Sequence, residues 1–197
     1  MKNLRALFSL LLLSHVAFAQ GNITGNMETV FQYLNEDSII NAKQPVQKGL
    51  MNSYMNVFYT QGNFKAGMRF ESYLPRIQGY PNRFDGTGIG MRFVGYQNDF
   101  VDVTLGTFYE QFGSGLALRT YEDRNLGYDN LLDGMRIVLR PGKGFVVKGV
   151  YGTQRLSFQQ GQIVHGEGLV RGTDAEWHLN EGLACLKDKN LDIVLGA

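Results

Sequence analysis

Long runs in which apolar and polar side chains alternate recur through this 197-residue chain, and they confine it to antiparallel β structure. A strand puts successive side chains on opposite faces, whereas a helix would mix the two sets. In the first run Ile23, Gly25, Met27, Thr29, Phe31 and Tyr33 share one face, and Asn22, Thr24, Asn26, Glu28 and Gln32 share the other, with Val30 the exception. In residues 64–73, Phe64, Ala66, Met68 and Phe70 oppose Lys65, Gly67, Arg69 and Glu71. In 87–97, Ile89, Met91 and Phe93 oppose Gly88, Gly90, Arg92 and Tyr96, and in 100–111, Val101, Val103, Leu105 and Tyr109 oppose Asp102, Thr104, Gly106 and Glu110. Runs at 131–140 and 145–154 follow. Residues 50–61 are apolar but alternate poorly, 162–179 are the least regular, and a last run opens at Leu191. Nine strands are expected, with no long helix.

Strand length and loop spacing favour a membrane barrel. About ten residues at roughly 3.3 Å each, tilted near 40°, rise about 25 Å, the height of an outer-membrane apolar band. Globular strands are nearer five or six residues. The connections at 35–49, 62–63, 74–86, 98–99, 112–130 and 141–144 go long, short, long, short, long, short. Bacterial barrels have that alternation, with short turns on the periplasmic side. The connections at 155–161 and 180–190 break it. The expected fold is all-β: an antiparallel up-and-down transmembrane β-barrel, incomplete and open in this chain. Residues 191–197 are too few for a bilayer strand, and nine is an odd count where single-chain bacterial barrels are even. The alternative is a soluble periplasmic or secreted β-barrel or sandwich that binds a ligand or partner.

The amino terminus points to export. Lys2 and Arg5 precede an apolar stretch from Ala6 to Leu13, and Ala17 and Ala19 supply the small residues of a cleavage site. Residues 1–19 are expected to be a secretory signal peptide, leaving 20–197 as the β-barrel domain in the outer membrane. No Cys follows the apolar run, and Cys185 is the only cysteine, so no intrachain disulfide can form. Glycine, 25 residues, is roughly twice its usual share of about 7% and sits inside the alternating runs, where bent or crowded sheets need it. With 19 Lys+Arg against 18 Asp+Glu, no basic excess points to nucleic acid. The expected partners are outer-membrane lipid and the machinery that assembles barrels.

No catalytic constellation is legible, so neither an enzyme nor a cofactor is expected. After the signal, the histidines are His165 and His178, and neither has metal-ligand spacing to a Cys or a second His. Gly113-Ser114-Gly115 lacks the frame of a nucleophile elbow, and Gly86-Thr87-Gly88-Ile89-Gly90 lies in a strand rather than before a helix. The residues singled out instead are charges of the polar face and of the long connection. Arg69, Arg92, Asp102, Glu110 and Arg136 would line a lumen. Segment 113–130, with Arg119, Glu122, Asp123 and Arg124, would fold inward, either as a constriction or as a loop whose charges pair among themselves or with the wall. Phe31, Tyr33, Tyr73, Tyr96, Tyr109 and Trp177, near run ends, are candidates for aromatic girdles.

The stretch Gly21-Asn-Ile-Thr-Gly-Asn-Met-Glu-Thr behind the signal, and the segment 112–134 containing Leu118-Arg-Thr-Tyr-Glu-Asp-Arg-Asn-Leu-Gly-Tyr-Asp-Asn130, resemble a family of uncharacterised Bacteroidetes outer-membrane barrel proteins. The resemblance covers most of the chain after the signal. It implies location and architecture, brings no activity or ligand, and assigns no functional residue.

Overall fold

The computed structural model describes residues 21–43, 46–183 and 193–196. The expected signal peptide, Cys185, and Leu191, Asp192 and Ala197 of the last run lie outside them. Nine strands form one antiparallel sheet: β1 (Asn22–Tyr33), β2 (Gly49–Gln61), β3 (Phe64–Tyr73), β4 (Gly86–Gln97), β5 (Val101–Phe108), β8 (Leu132–Gly142), β9 (Phe145–Gln159), β10 (Gln162–His178) and β11 (Val194–Gly196). Each pairs with the next in chain order. The two-residue strands β6 (Glu122–Asp123) and β7 (Tyr128–Asp129) make a separate ladder within the long connection, and a four-residue helix α1 (Leu179–Gly182) follows β10. Strands β1 and β11 end the sheet and are not paired with each other, so the described residues form an open sheet and not a closed barrel.

The two faces differ in chemistry. One carries Asn26 of β1, Asn56 and Phe58 of β2, Lys65 and Arg69 of β3, Thr104 of β5 and Arg136 of β8, and all of these border one cavity. A single cavity bordered by six strands of a sheet lies on its concave side; this is the inner face. The outer face carries Ile23, Met27 and Phe31 of β1, Phe64 of β3, Val94 of β4, Leu105 of β5 and Met135 of β8, all exposed. Among the described residues 10 hydrophobic side chains are buried and 29 large ones are exposed. A water-soluble domain buries most of its large aliphatic side chains, so this ratio sets the sheet apart from one with an ordinary core.

The small core sits on the inner side, at the end where the long connections gather. Tyr54, Tyr73, Phe84 and Phe158 form one cluster, with the Tyr54 and Tyr73 rings edge to face at 5.8 Å. Phe108, Leu132 and Val150 form a second. Contacts on the inner wall account for the poor alternation of β2. Its inner positions are polar at Asn52 and Asn56 but apolar at Leu50, Tyr54 and Phe58, with Tyr54 in the first cluster and Phe58 against Phe93 of β4.

Two departures from regular pairing matter for the site. Arg69 pairs with Met91 but Phe70 pairs with Ile89, so Gly90 is an extra residue in β4. The bulge turns Met91 and Phe93 inward and leaves Ile89 outside, where strict alternation would put all three together. Only glycine fits at that point, since a Cβ on Gly90 would stand 2.0 Å from the Glu71 carboxylate oxygen. Strand β9 also runs five residues beyond the expected end at Gln154. It turns into β10 through Gln160 and Gly161, both at positive φ (51° and 78°), the backbone of a type I′ hairpin turn. The tip of this hairpin docks on the start of β4. Phe158 donates its amide to the Arg83 carbonyl at 2.8 Å, and Asp85 donates to the Phe158 carbonyl at 2.7 Å. The approach is so close that a Cβ on Gly88 would lie 1.9 Å from the Gly161 carbonyl oxygen.

Candidate functional site

The inner face gathers charge in layers. Nearest the long connections is a buried network centred on Arg155 of β9. Its guanidinium donates to both Glu71 oxygens, at 2.7 and 3.0 Å, and to Asp129 at 2.9 Å. The rings of Phe84 and Phe158 flank it at 5.4 and 5.2 Å. Arg69 of β3 donates to Glu71 at 2.8 Å, Glu122 at 2.8 Å and Asp129 at 2.9 Å. Tyr73 donates to Glu71 and Tyr109 to Asp129, each at 2.9 Å. Burial and the neighbouring Asp129 charge hold the Tyr109 hydroxyl well above the usual phenol range, so it stays a donor. Nearly every charge in this low-dielectric layer has two or more partners, the condition under which buried ions are tolerated.

The second layer lies toward the short turns. Asp102 of β5 accepts from Arg136 of β8 at 2.9 Å and from Lys65 of β3 at 3.2 Å, and Arg136 also bonds Glu110. A third group joins Lys148 of β9 to Glu176 at 2.8 Å and Asp174 at 3.5 Å on β10.

Residues 109–131 fold over this wall as a roof. Thr120 and Glu110 exchange backbone and side-chain hydrogen bonds, Asn130 accepts from the Tyr121 amide, and β6 pairs with β7. Ion pairs fasten the roof down: Glu122 and Asp129 to Arg69, Asp129 to Arg155, Glu110 to Arg136, and Arg124 to Glu28 of β1. The Arg124 guanidinium also lies 4.3 Å over the Tyr54 ring. Beneath the roof is a cavity of about 460 Å³.

Of the residues singled out in the sequence, Arg69, Glu122 and Arg124 come together in the first layer, and Asp102, Glu110 and Arg136 in the second. Asp123 does local work, accepting from the Asn125 and Leu126 amides to close the β6–β7 turn. Arg119 is exposed on the roof, 5.0 Å over the Tyr121 ring. Arg92 does not line the inner face. The Gly90 bulge rotates it outward, where it donates to Asp133 at 3.1 Å, and His165 bonds the same carboxylate oxygen at 3.1 Å. Tyr73 and Tyr109 are likewise not girdle residues; both are turned inward and bonded to carboxylates. Arg155, which is fully buried, was missed because it fell in an expected connection. The signal that could have found it is the long polar and aromatic continuation of the 145–154 run into Leu156, Ser157 and Phe158.

The arginines of the site are held in ion pairs, and among the described residues no group of His, Cys, Asp and Glu side chains could hold a metal ion. The arrangement offers a rigid charged wall, a fastened roof and a space between them.

The family model described as "Family of unknown function (DUF6029)" matches residues 1–197. The chain belongs to that family. Membership in DUF6029 brings no activity with it, so the chemistry of the DUF6029 inner face is read from its own side chains. No curated protein and no solved structure matches this DUF6029 chain.

Proposed function

We propose that this chain forms the wall of a β-barrel in the outer membrane of a Gram-negative bacterium, serving as a pore or as a transport or assembly component. The polarity of the two faces carries the reading. Charged and hydrogen-bonding side chains crowd the concave side, and the convex side, apart from the Arg92–Asp133 pair, presents Ile23, Met27, Val57, Val94, Leu105 and Met135 to the surroundings. That is the reverse of a soluble barrel and the arrangement lipid requires, polar within and apolar without. Aromatic side chains add support: Phe64, Tyr96, Phe145 and Trp177 share the outer face at the short-turn end, where a girdle would meet the headgroups. No helix among the described residues is long and apolar enough to cross a membrane, so any crossing is made by strands.

The roof gives the lumen its character. Glu110, Glu122 and Asp129 bond it to the wall, so it acts as a fixed constriction rather than a swinging loop. Lipid and the barrel-assembly machinery are the partners this reading calls for, and nucleic acid has no place in it. Cell fractionation tests it: the chain should sediment with the outer membrane and need detergent for release. Recovery in the osmotic-shock supernatant would instead favour a soluble periplasmic sheet protein.

A further inference from the structure

The cavity beneath the roof has a composition that the wall's structural role does not require. Four cations line it, Lys65, Arg69, Arg124 and Arg136, against one carboxylate, Glu122. The other acids bonded to those cations are Glu71, Asp102, Glu110, Asp129 and Glu28, and none of them lines the cavity. A molecule in this space therefore meets the cationic partner of nearly every pair. Donors remain there. Lys65 uses two ammonium hydrogens, on Gln97 and Asp102, and Arg136 donates from Nε and Nη1. That leaves one hydrogen on Lys65 and the Nη2 group of Arg136 without a protein partner among the described residues.

Beside these donors is an apolar surface. Phe58 and Phe93 approach with ring centroids 6.4 Å apart, and Met91 lies next to them. The Gly90 bulge is what brings Met91 and Phe93 inward; with regular pairing they would be on the outside. At about 460 Å³, the space falls within the range of small-molecule sites, roughly 300–1,000 Å³.

We propose that this cavity is a binding subsite for an organic anion with a flat apolar body, an aryl carboxylate being the simplest member. The proposal rests on the reading of the inner face as the lumen of a barrel and names the solute class that lumen takes. An inorganic anion would satisfy Lys65 and Arg136 but leave the Phe58, Met91 and Phe93 surface uncovered. A neutral aromatic would cover that surface and leave the donors unmet. An aryl carboxylate does both.

Isothermal titration calorimetry on the folded chain tests it, with 1-naphthoate as the probe and 1-naphthylmethanol and inorganic phosphate as comparisons. Naphthoate should bind saturably at one site, and each comparison at least about tenfold more weakly, the worth of one charge-assisted contact. Lys65→Met should weaken naphthoate by about tenfold, while Lys148→Met, which removes a cation of the inner face outside the cavity, should leave it unchanged. Equal binding of naphthoate and naphthylmethanol, no saturable naphthoate binding, or indifference to Lys65→Met would each overturn the proposal. Should Lys65→Met fail to fold, the wild-type comparison of the two naphthyl compounds decides. Fractionation reads the membrane question separately. A chain recovered as soluble is titrated in plain buffer, so the two readings fail independently.

Discussion

Arg155 and Glu71 are joined by two hydrogen bonds, 2.7 and 3.0 Å, although they sit on β9 and β3 and three other strands separate those in the sheet. Both side chains are essentially inaccessible to solvent. The pair ties the docked β9–β10 hairpin to the inner wall and, through Asp129, to the roof. Without Arg155, Glu71 and Asp129 keep Arg69 and the Tyr73 and Tyr109 hydroxyls but lose the second cation that balances them in a buried layer. Arg155→Leu should therefore destabilise the folded chain by about 3–5 kcal/mol in urea unfolding, and the double variant Arg155→Met, Glu71→Leu should cost less than the single one. A double variant worse than the single would show that the pair itself, rather than an unbalanced charge, sets the cost.

The hairpin dock depends on the absence of side chains at its contact. Gly88→Ala puts a methyl group 1.9 Å from the Gly161 carbonyl oxygen, a clash with backbone that no rotamer relieves. Overpacking of this kind costs about 1–3 kcal/mol. The Phe158 amide, bonded to the Arg83 carbonyl, should lose hydrogen-exchange protection. Unchanged protection would mean that the tip is held by other contacts.

The Gly90 bulge can be tested by labelling single cysteines in a Cys185→Ser background. Cysteine at position 89 should react with a lipid-phase reagent, and cysteines at 91 and 93 should not, because the bulge puts Met91 and Phe93 inside. Identical labelling at 89 and 91 would restore regular alternation and return Arg92 to the lumen.

Arg124 fastens the roof to β1 through Glu28 and to β2 by lying over the Tyr54 ring. Both carboxylate partners are partly exposed, so Arg124→Ala should cost little stability, about 1 kcal/mol or less. Its effect should be on passage: a loosened roof should raise single-channel conductance in planar bilayers. Conductance equal to the unaltered chain would take the roof off the conduction path.

Much of the sheet was legible because its pattern is local. All nine expected runs became strands of one sheet, and the inner and outer sets of β1 and β3 are those that period-two alternation assigns. The departures share a physical cause: each depends on contacts between distant segments. The extra residue at Gly90 looks like any other glycine in an alternating run, so Arg92 was put on the wrong face. The length of β9 is set by Phe158 meeting Arg83 and Asp85, which lie more than seventy positions earlier in the chain. Cutting that run at Gln154 hid Arg155. The site was half visible for the same reason. Single charges could be named on β3, β4, β5 and β8, but which acid meets which arginine depends on how residues 109–131 fold back.

Matched arginine substitutions on opposite faces of the wall test the central claim, that the outer face meets lipid. Leu105→Arg puts a charge on the exposed outer face of β5, and Asn26→Arg puts the same charge on the inner face of β1. Arginine on the lipid side costs about 2–4 kcal/mol at the bilayer midplane, whereas lumen positions tolerate it. The measurement is the heat-dependent gel shift of outer-membrane fractions. Leu105→Arg should abolish the folded band and Asn26→Arg should keep it. Equal folded bands for the two variants would contradict that claim.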